Sequence, residues 1–342
     1  MNSNRNITDA LSEGEIQFLA SLARAAADGL STDRVSLENA SERFGPFRAN
    51  YKNTVIKLRD KGLVTGADDT LSLTEAGDPL ARAYHAERPD LYWYYFRKFY
   101  AAANASKAHS RLCELAFGKD LCQEGMVDME ALDDLIDRLK LQRGAEVLDL
   151  GCGAGGIAEY ISDRAGAKVT GLDISTSAIE VALARTESKR DRLNFVIGDL
   201  NALDLPPENY DAAISLDALY WVSDLDQSLD AILAAIRPGG QLAIHTLHGR
   251  EADEPPEAMG PQTSSVAKAL DSRKLSYEVS EHTANNAAFW KRNYAAAVDL
   301  RDAFAAEGNE WIADSLIRES EDEFLPAFDA GLMARYLYLA HV

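Results

Sequence analysis

Between residues 146 and 246, short apolar runs alternate with stretches whose apolar positions recur every three or four residues. The runs are Glu146–Leu150, Lys168–Asp173, Leu193–Ile197, 211–216 and 241–246. Each has the length of a buried strand, and the stretches between them have the period of an amphipathic helix. Strands alternating with helices predict βα units, which form a mostly parallel sheet covered by helices on both faces. The expected fold class is therefore α/β and Rossmann-like.

Upstream, the pattern is helical. Residues 13–28 place Ile16, Leu19, Ala20, Ala23 and Ala27 on one stripe. A second helix is expected over 36–43 with Ser36 as its cap, and a third starts after Gly45-Pro46 and ends near Lys61-Gly62. From Leu63, two short apolar strands flank a turn containing Gly66 and Asp68, and another helix follows. This order resembles a winged helix-turn-helix. Residues 90–140 read as helical and aromatic, with Tyr92, Trp93, Tyr94, Tyr95, Phe96, Phe99 and Tyr100 close together. Their helical spacing predicts packing on a core, with Tyr95 and Tyr100 as the candidates to reach a cleft. Past residue 251, a strand is expected at 276–282, long helices follow, and 334–340 reads as a final strand. The chain thus divides into a winged-helix-like part (1–90), a helical aromatic linker or lid (91–140) and a Rossmann-like part (141–342).

Charge narrows the classes of function. The formal net charge of −20 over 342 residues argues against broad nucleic-acid binding. No apolar run approaches the roughly 20 residues of a membrane span. The polar opening, residues 1–9, lacks the pattern of a secretory leader. Cys113, Cys122 and Cys152 form no CxxC pair, and their odd number argues against a disulfide framework, so a cytoplasmic location is expected. The six histidines show no metal-binding spacing, and no metal is implied.

The chemistry gathers at Asp149-Leu-Gly151-Cys152-Gly153-Ala-Gly155-Gly156, which follows the first apolar strand and opens a helix. Glycine permits the tight turn and lets backbone approach a ligand with no Cβ between them. Gly151, Gly153 and Gly156 also fit a dinucleotide-binding GxGxxG, so the glycines alone leave the ligand open. With Asp149 in front, the segment reads DxGxGxG and resembles motif I of the class I S-adenosylmethionine (SAM) dependent methyltransferases. Asp173 closes the second strand, where a carboxylate suits a ribose, although NAD would be served equally. Gly198-Asp199-Leu200 closes the third strand, and Tyr210-Asp-Ala-Ala-Ile-Ser-Leu-Asp217 leads to Ile236-Arg-Pro-Gly-Gly240. The resemblance covers residues 146–246 in order.

That resemblance implies SAM as cofactor, with S-adenosylhomocysteine as product. It implies a binding set of Asp149, Gly151, Cys152, Gly153, Asp173, Ile174, Asp199, Leu200 and Asp217. Asp199 would face the adenine amino group and Leu200 pack on its ring, while Asp217 would lie near the methionine portion or the substrate. Plainer roles stand beside these: Asp173 and Asp199 also suit a helix cap and a turn cap. Methyl transfer is an in-line displacement at a carbon activated by positive sulfur, so alignment and water exclusion carry much of the rate.

The loops after the fourth and fifth strands, with helices from outside the sheet, would wall a small-molecule substrate. Tyr220 and Trp221 lie in the first loop and His245 at the edge of the second. Tyr220 and His245 are the candidate catalytic residues, His245 as a base, although its place in a strand also suits a satisfied core histidine. Tyr95, Tyr100, Met126, Tyr220, Trp221 and Trp290 are the candidate substrate contacts. Met126 shares a lid position with Gln123 and Asp128, in a segment (84–139) that resembles the N-terminal lid of small-molecule methyltransferases.

Two other readings stay open. Helix three carries Arg48, Lys52, Lys57, Arg59 and Lys61 against Asp60, the profile of a DNA recognition helix in a SAM-sensing regulator. Winged-helix-like domains also serve as dimerisation modules, so a homodimer through the N-terminal part is the companion expectation. Alternatively, the cofactor pocket would direct another SAM carbon to a nucleophile, including SAM's own amine, giving methylthioadenosine.

Overall fold

A computed structural model describes residues 11–27, 51–67, 70–87, 93–222, 224–250 and 252–342. Packing divides the chain into two units, residues 1–97 and 98–342. The first contains helices α1 (Glu13–Ala27) and α2 (Tyr51–Asp60), strands β1 (Val64–Thr65) and β2 (Ser72–Leu73), and helix α3 (Gly77–Glu87). Ser12 and Glu15 start α1 with a reciprocal cap. Ser12 N–H donates to Glu15 Oε2 at 2.6 Å, and Glu15 N–H to Ser12 Oγ at 3.3 Å. The two strands pair antiparallel, and Phe18, Leu19, Leu58, Leu63 and Leu71 form the buried core. The helix expected over 36–43, and Arg48, lie outside the described residues.

Helix α4 (Trp93–Ala105) spans the boundary at residue 97, and within the second unit α5 (Lys107–Ala116) and α6 (Met129–Leu139) precede the sheet. Asp128 caps α6 by accepting the Ala131 N–H at 3.1 Å. The strands are β3 (Glu146–Leu150), β4 (Lys168–Asp173), β5 (Leu193–Ile197), β6 (Tyr210–Leu216), β7 (Ile236–Gly249), β8 (Ser276–Glu281) and β9 (Met333–His341). Helices α7 (Gly156–Ala165), α8 (Thr176–Arg185), α9 (Leu225–Ala235) and α10 (Ser265–Ser272) connect the strands up to β8. Helices α11 (Thr283–Ala306) and α12 (Glu310–Glu319), a π turn over Ser320–Phe324 and α13 (Leu325–Asp329) lead into β9.

The seven strands lie in the order β5-β4-β3-β6-β7-β9-β8. Strands β3 to β7 are parallel, and β9 runs antiparallel between β7 and β8. Successive strand residues face opposite layers, as the two-residue period requires. Val147, Ile214 and Ala243 pack with Leu132, Ile136, Ile161 and Ile179 on one side. Leu148, Ala213 and Leu242 pack with Leu229, Ile232, Val266 and Leu270 on the other.

Strands β3, β4 and β5 occupy the segments their apolar runs predict. Strand β7 is longer than expected, because 236–240 also joins the sheet rather than forming a free loop. Ile236 pairs with Tyr210, and the Gly239 N–H donates to the Val342 carbonyl at 2.7 Å. Strand order reverses between β3 and β6, whose carboxyl ends therefore flank a crevice where open α/β sheets bind ligands. Among the described residues no helix is long and apolar enough to cross a membrane.

Candidate functional site

At that crevice lies a cleft open to solvent. Its floor is the turn after β3, with Asp149, Gly151, Cys152, Gly153 and Ala154, and one wall is the segment from Leu121 to Val127. Tyr100 from α4, Phe117 and Asp217 complete it. Of the residues expected from sequence, Asp149, Gly151, Cys152, Gly153, Tyr100, Met126 and Asp217 line this cleft together.

Asp149 is 2% exposed, and its Oδ2 has no hydrogen-bond partner among the described residues. Burial, aided by the charge of Asp173, pushes its carboxyl up to about 7. Backbone bonds shape the turn: Gly151 and Cys152 N–H groups both donate to the Leu172 carbonyl, at 2.8 and 3.1 Å. Asp173 braces it from β4, where Oδ2 accepts the Gly153 N–H at 2.9 Å and Oδ1 the Ser175 N–H at 2.8 Å. Burial raises the Asp173 carboxyl, and these backbone N–H groups oppose the shift. Ser175, not Asp173, supplies the side-chain cap of α8.

Two glycines are needed by close approach. A Cβ on Gly153, whose φ is +52°, would stand 2.7 Å from the Tyr100 hydroxyl oxygen. A Cβ on Gly156, at the start of α7, would stand 1.8 Å from the Leu121 carbonyl oxygen. Such contacts leave no room for a side chain, so the turn, α4 and the 121–127 wall close on one another only because these positions are glycine.

The other expected residues lie outside the cleft lining. Ile174 follows Asp173 at the end of β4, one residue from the cap of α8. Asp199 and Leu200 follow β5. Asp199 Oδ1 accepts both the backbone and side-chain N–H of Asn201 at 2.9 Å, and Leu200 packs against the core. Tyr220 and Trp221 form an edge-to-face pair at 4.8 Å just after Asp217, and Tyr220 is exposed. Trp290 is buried on α11, its ring stacked on Phe324 of the π turn at 3.8 Å. Tyr95 lies in α4, but its side chain is outside the described residues.

His245 is buried with both ring nitrogens engaged. Nδ1 meets Arg335 Nη2 at 3.2 Å and Nε2 meets His282 Nδ1 at 3.1 Å. Burial, with Arg335 and His282 adding to it, holds His245 well below the usual histidine range.

Sequence reasoning missed Arg335, fully buried in β9 and ion-paired with Asp217. A lone arginine in the apolar run Met-Ala-Arg-Tyr-Leu-Tyr-Leu-Ala was a readable signal, because a buried charge demands a partner. Glu124, Cys122 and Phe117 also line the cleft without having been singled out for it. Among the described residues no cluster of His, Cys, Asp and Glu would hold a metal ion.

Residues 147–240, which span the turn, Asp173 and β6, match the methyltransferase domain family. Over this segment the chain is similar to methyltransferase domains. The chain is 32% identical over 171 residues to malonyl-[acyl-carrier protein] O-methyltransferase of Pseudescherichia vulneris, covering 49% of this chain. It spans 63% of that relative's length. In structure it is similar to the Haemonchus contortus phosphoethanolamine N-methyltransferase 2, solved with phosphomonomethylethanolamine and S-adenosylhomocysteine. There the TM-score is 0.59 at 20% identity, covering 72% of this chain and 60% of that one. The cyclopropane synthase MmaA2 from Mycobacterium tuberculosis gives 0.56 at 15% identity, covering 72% and 98%. At these identities the structural likeness concerns the fold, and the methyltransferase domain shares it with enzymes of different acceptors.

Proposed function

We propose that the chain is a SAM-dependent methyltransferase acting on a small molecule at nitrogen, oxygen or sulfur. The observation that carries this reading is the unpartnered, buried carboxyl oxygen of Asp149, set beside the glycine turn in a cleft that Glu124 also lines, while Asp217 is taken up by its ion pair with Arg335. None of the lining residues is a lysine or arginine. A cationic ligand fits such a donor set, and SAM carries both a sulfonium and an ammonium group. When bound, SAM supplies a methyl carbon already activated by its positive sulfur.

The chain's own residues would then bind, orient and exclude water. In this reading Asp149 takes the ammonium end, the turn at Gly151–Gly153 admits the ligand backbone-close, and Asp173 offers its remaining lone pairs to the ribose. Asp199 and Leu200, one strand further along, receive the adenine. Tyr100 and Met126 close the opening, and Tyr220 and Trp221 present aromatic faces to the acceptor. With both nitrogens of His245 occupied, its part is to hold Arg335 rather than to take a proton from the acceptor.

Residues 1–90 are read as a winged-helix-like module for self-association, with 91–140 as lid and linker. Lys61 Nζ is bonded to buried Glu15 at 2.5 Å, so one of the five basic residues of the third helix is committed within the module. That takes one basic residue from a DNA-facing helix, and sedimentation together with a low-salt gel shift separates self-association from DNA contact.

The test is product analysis. Purified protein incubated with SAM and pooled metabolites is expected to release S-adenosylhomocysteine only when an acceptor is present. Acceptor-independent methylthioadenosine would replace this reading with cyclisation of SAM.

A further inference from the structure

Four charged or imidazole side chains from separate elements line up behind Asp217. Arg335 on β9 has no exposed surface. Its Nη1 faces Asp217 Oδ1 as an ion pair, and its Nη2 reaches His245 Nδ1 at 3.2 Å. His245 Nε2 lies 3.1 Å from His282 Nδ1, and His282 Nε2 lies 3.5 Å from Asp134 Oδ2 on α6.

The direction of every link follows from the first. A guanidinium only donates, so His245 Nδ1 accepts and its single proton sits on Nε2. That proton is donated to His282 Nδ1, which places the His282 proton on Nε2, facing the Asp134 carboxylate. The chain Arg335→His245→His282→Asp134 is thus fully polarised, and it fixes the guanidinium from behind. Depressed protonation of both imidazoles agrees with this neutral pair.

In front of Arg335, Asp217 sits in the left-handed region with φ +61°. Its Oδ2 accepts the Met126 N–H at 2.9 Å, while the Met126 carbonyl accepts Asn286 Nδ2 at 2.8 Å. Both backbone groups of Met126 are therefore held, one by the end of β6 and one by α11. The segment 121–127 is a wall of the cleft. Farther along, Asp128 Oδ2 accepts Arg292 Nη2 at 2.7 Å and Asn285 Nδ2 at 3.1 Å, which ties the same segment to α11 again.

We infer that Arg335 is a positioning residue: through Asp217 it holds Met126 and the 121–127 wall closed over the ligand cleft, with His245 and His282 as its buried support. The inference rests on the reading of this cleft as the SAM site for its functional consequence, but not for its geometry. It gives Asp217 a structural duty toward the wall, and it gives His245 a function unlike that of a base.

The test compares wild type, Arg335→Met and Arg335→Lys by site-resolved amide exchange and by S-adenosylhomocysteine titration. The Ser175 amide, held by Asp173, serves as internal reference because the chain behind Asp217 does not touch it. In Arg335→Met, the Met126 amide is expected to exchange about ten-fold faster relative to Ser175, with affinity lower by about ten-fold. Arg335→Lys keeps the charge facing Asp217 and is expected to recover part of both. Should Arg335→Met fail to fold, Arg335→Lys against wild type carries the comparison, because it leaves Asp217, the acceptor of the Met126 N–H, unchanged. Equal acceleration at Met126 and Ser175, or no change at Met126, would overturn the inference. Selective loss at Met126 in a protein that binds neither SAM nor S-adenosylhomocysteine would uphold the positioning role and sink the cofactor reading instead.

Discussion

Replacing Asp149 by asparagine isolates the most unusual ionisable group of the cleft. Its carboxyl is displaced from 3.8 to about 7, chiefly by burial and then by Asp173. That displacement corresponds to ~4 kcal/mol of added cost for the ionised form. The sign follows from proton counts. In the unfolded chain the proton leaves near the ordinary value, whereas the folded chain keeps it until about pH 7. Stability therefore falls as pH rises through that window and is level above about pH 7. Asp149→Asn removes the ionisation and is expected to unfold at higher denaturant than wild type at about pH 8, by up to ~4 kcal/mol. Ligand binding runs the other way. A cation prefers the ionised carboxyl, so wild-type affinity for SAM should rise about five-fold between about pH 6 and pH 7, with ~0.9 proton released at the lower pH. The ligand's own amino group stays protonated in that range, since such groups titrate near about 8. Calorimetry in two buffers of different ionisation heat measures the released proton directly. The slope and the proton release should both vanish in Asp149→Asn. A wild-type affinity independent of pH, or a slope retained by the asparagine variant, would refute the assignment of the cation to Asp149.

Three further expectations follow from particular contacts. Gly156→Ala would place a Cβ 1.8 Å from the Leu121 carbonyl, so thermal unfolding should show a loss of about 1–3 kcal/mol or more. His245 is held well below the usual histidine range in the folded chain, so its contribution to stability is present above about 6.5 and is lost as pH falls, at up to ~1.4 kcal/mol per pH unit. Denaturant titrations at acid and neutral pH should show this dependence reduced in His245→Gln. Tyr220→Ala is expected to raise the acceptor KM several-fold while leaving S-adenosylhomocysteine affinity within about two-fold, which steady-state kinetics and calorimetry measure separately.

Much of the sheet was legible in one dimension. β3, β4 and β5 are short apolar runs between amphipathic helices, and for such strands period and length are nearly sufficient. The glycine turn was legible as well, because Gly153 and Gly156 meet Tyr100 and Leu121 where a side chain has no room. What escaped was pairing across distance. Arg335, His245, His282 and Asp217 come from four segments, and only the antiparallel insertion of β9 beside β7 brings them together. His245 in its strand left a satisfied core histidine and a base both open, and the structure shows the first. Its two partners, contributed by residues 37 and 90 positions away, become visible only in three dimensions. Pro238-Gly239-Gly240 signals a turn and so hides the start of β7, while the ladder to Tyr210 and the bond to Val342 keep the segment in the sheet.

The most direct measurement is calorimetric titration of wild type and Asp173→Ala with SAM, S-adenosylhomocysteine and NAD. Wild type is expected to bind the first two and not NAD, and Asp173→Ala to weaken both by about ten-fold or more. Binding of NAD in their place, or affinity for SAM untouched by Asp173→Ala, would contradict the reading of this cleft as the SAM site.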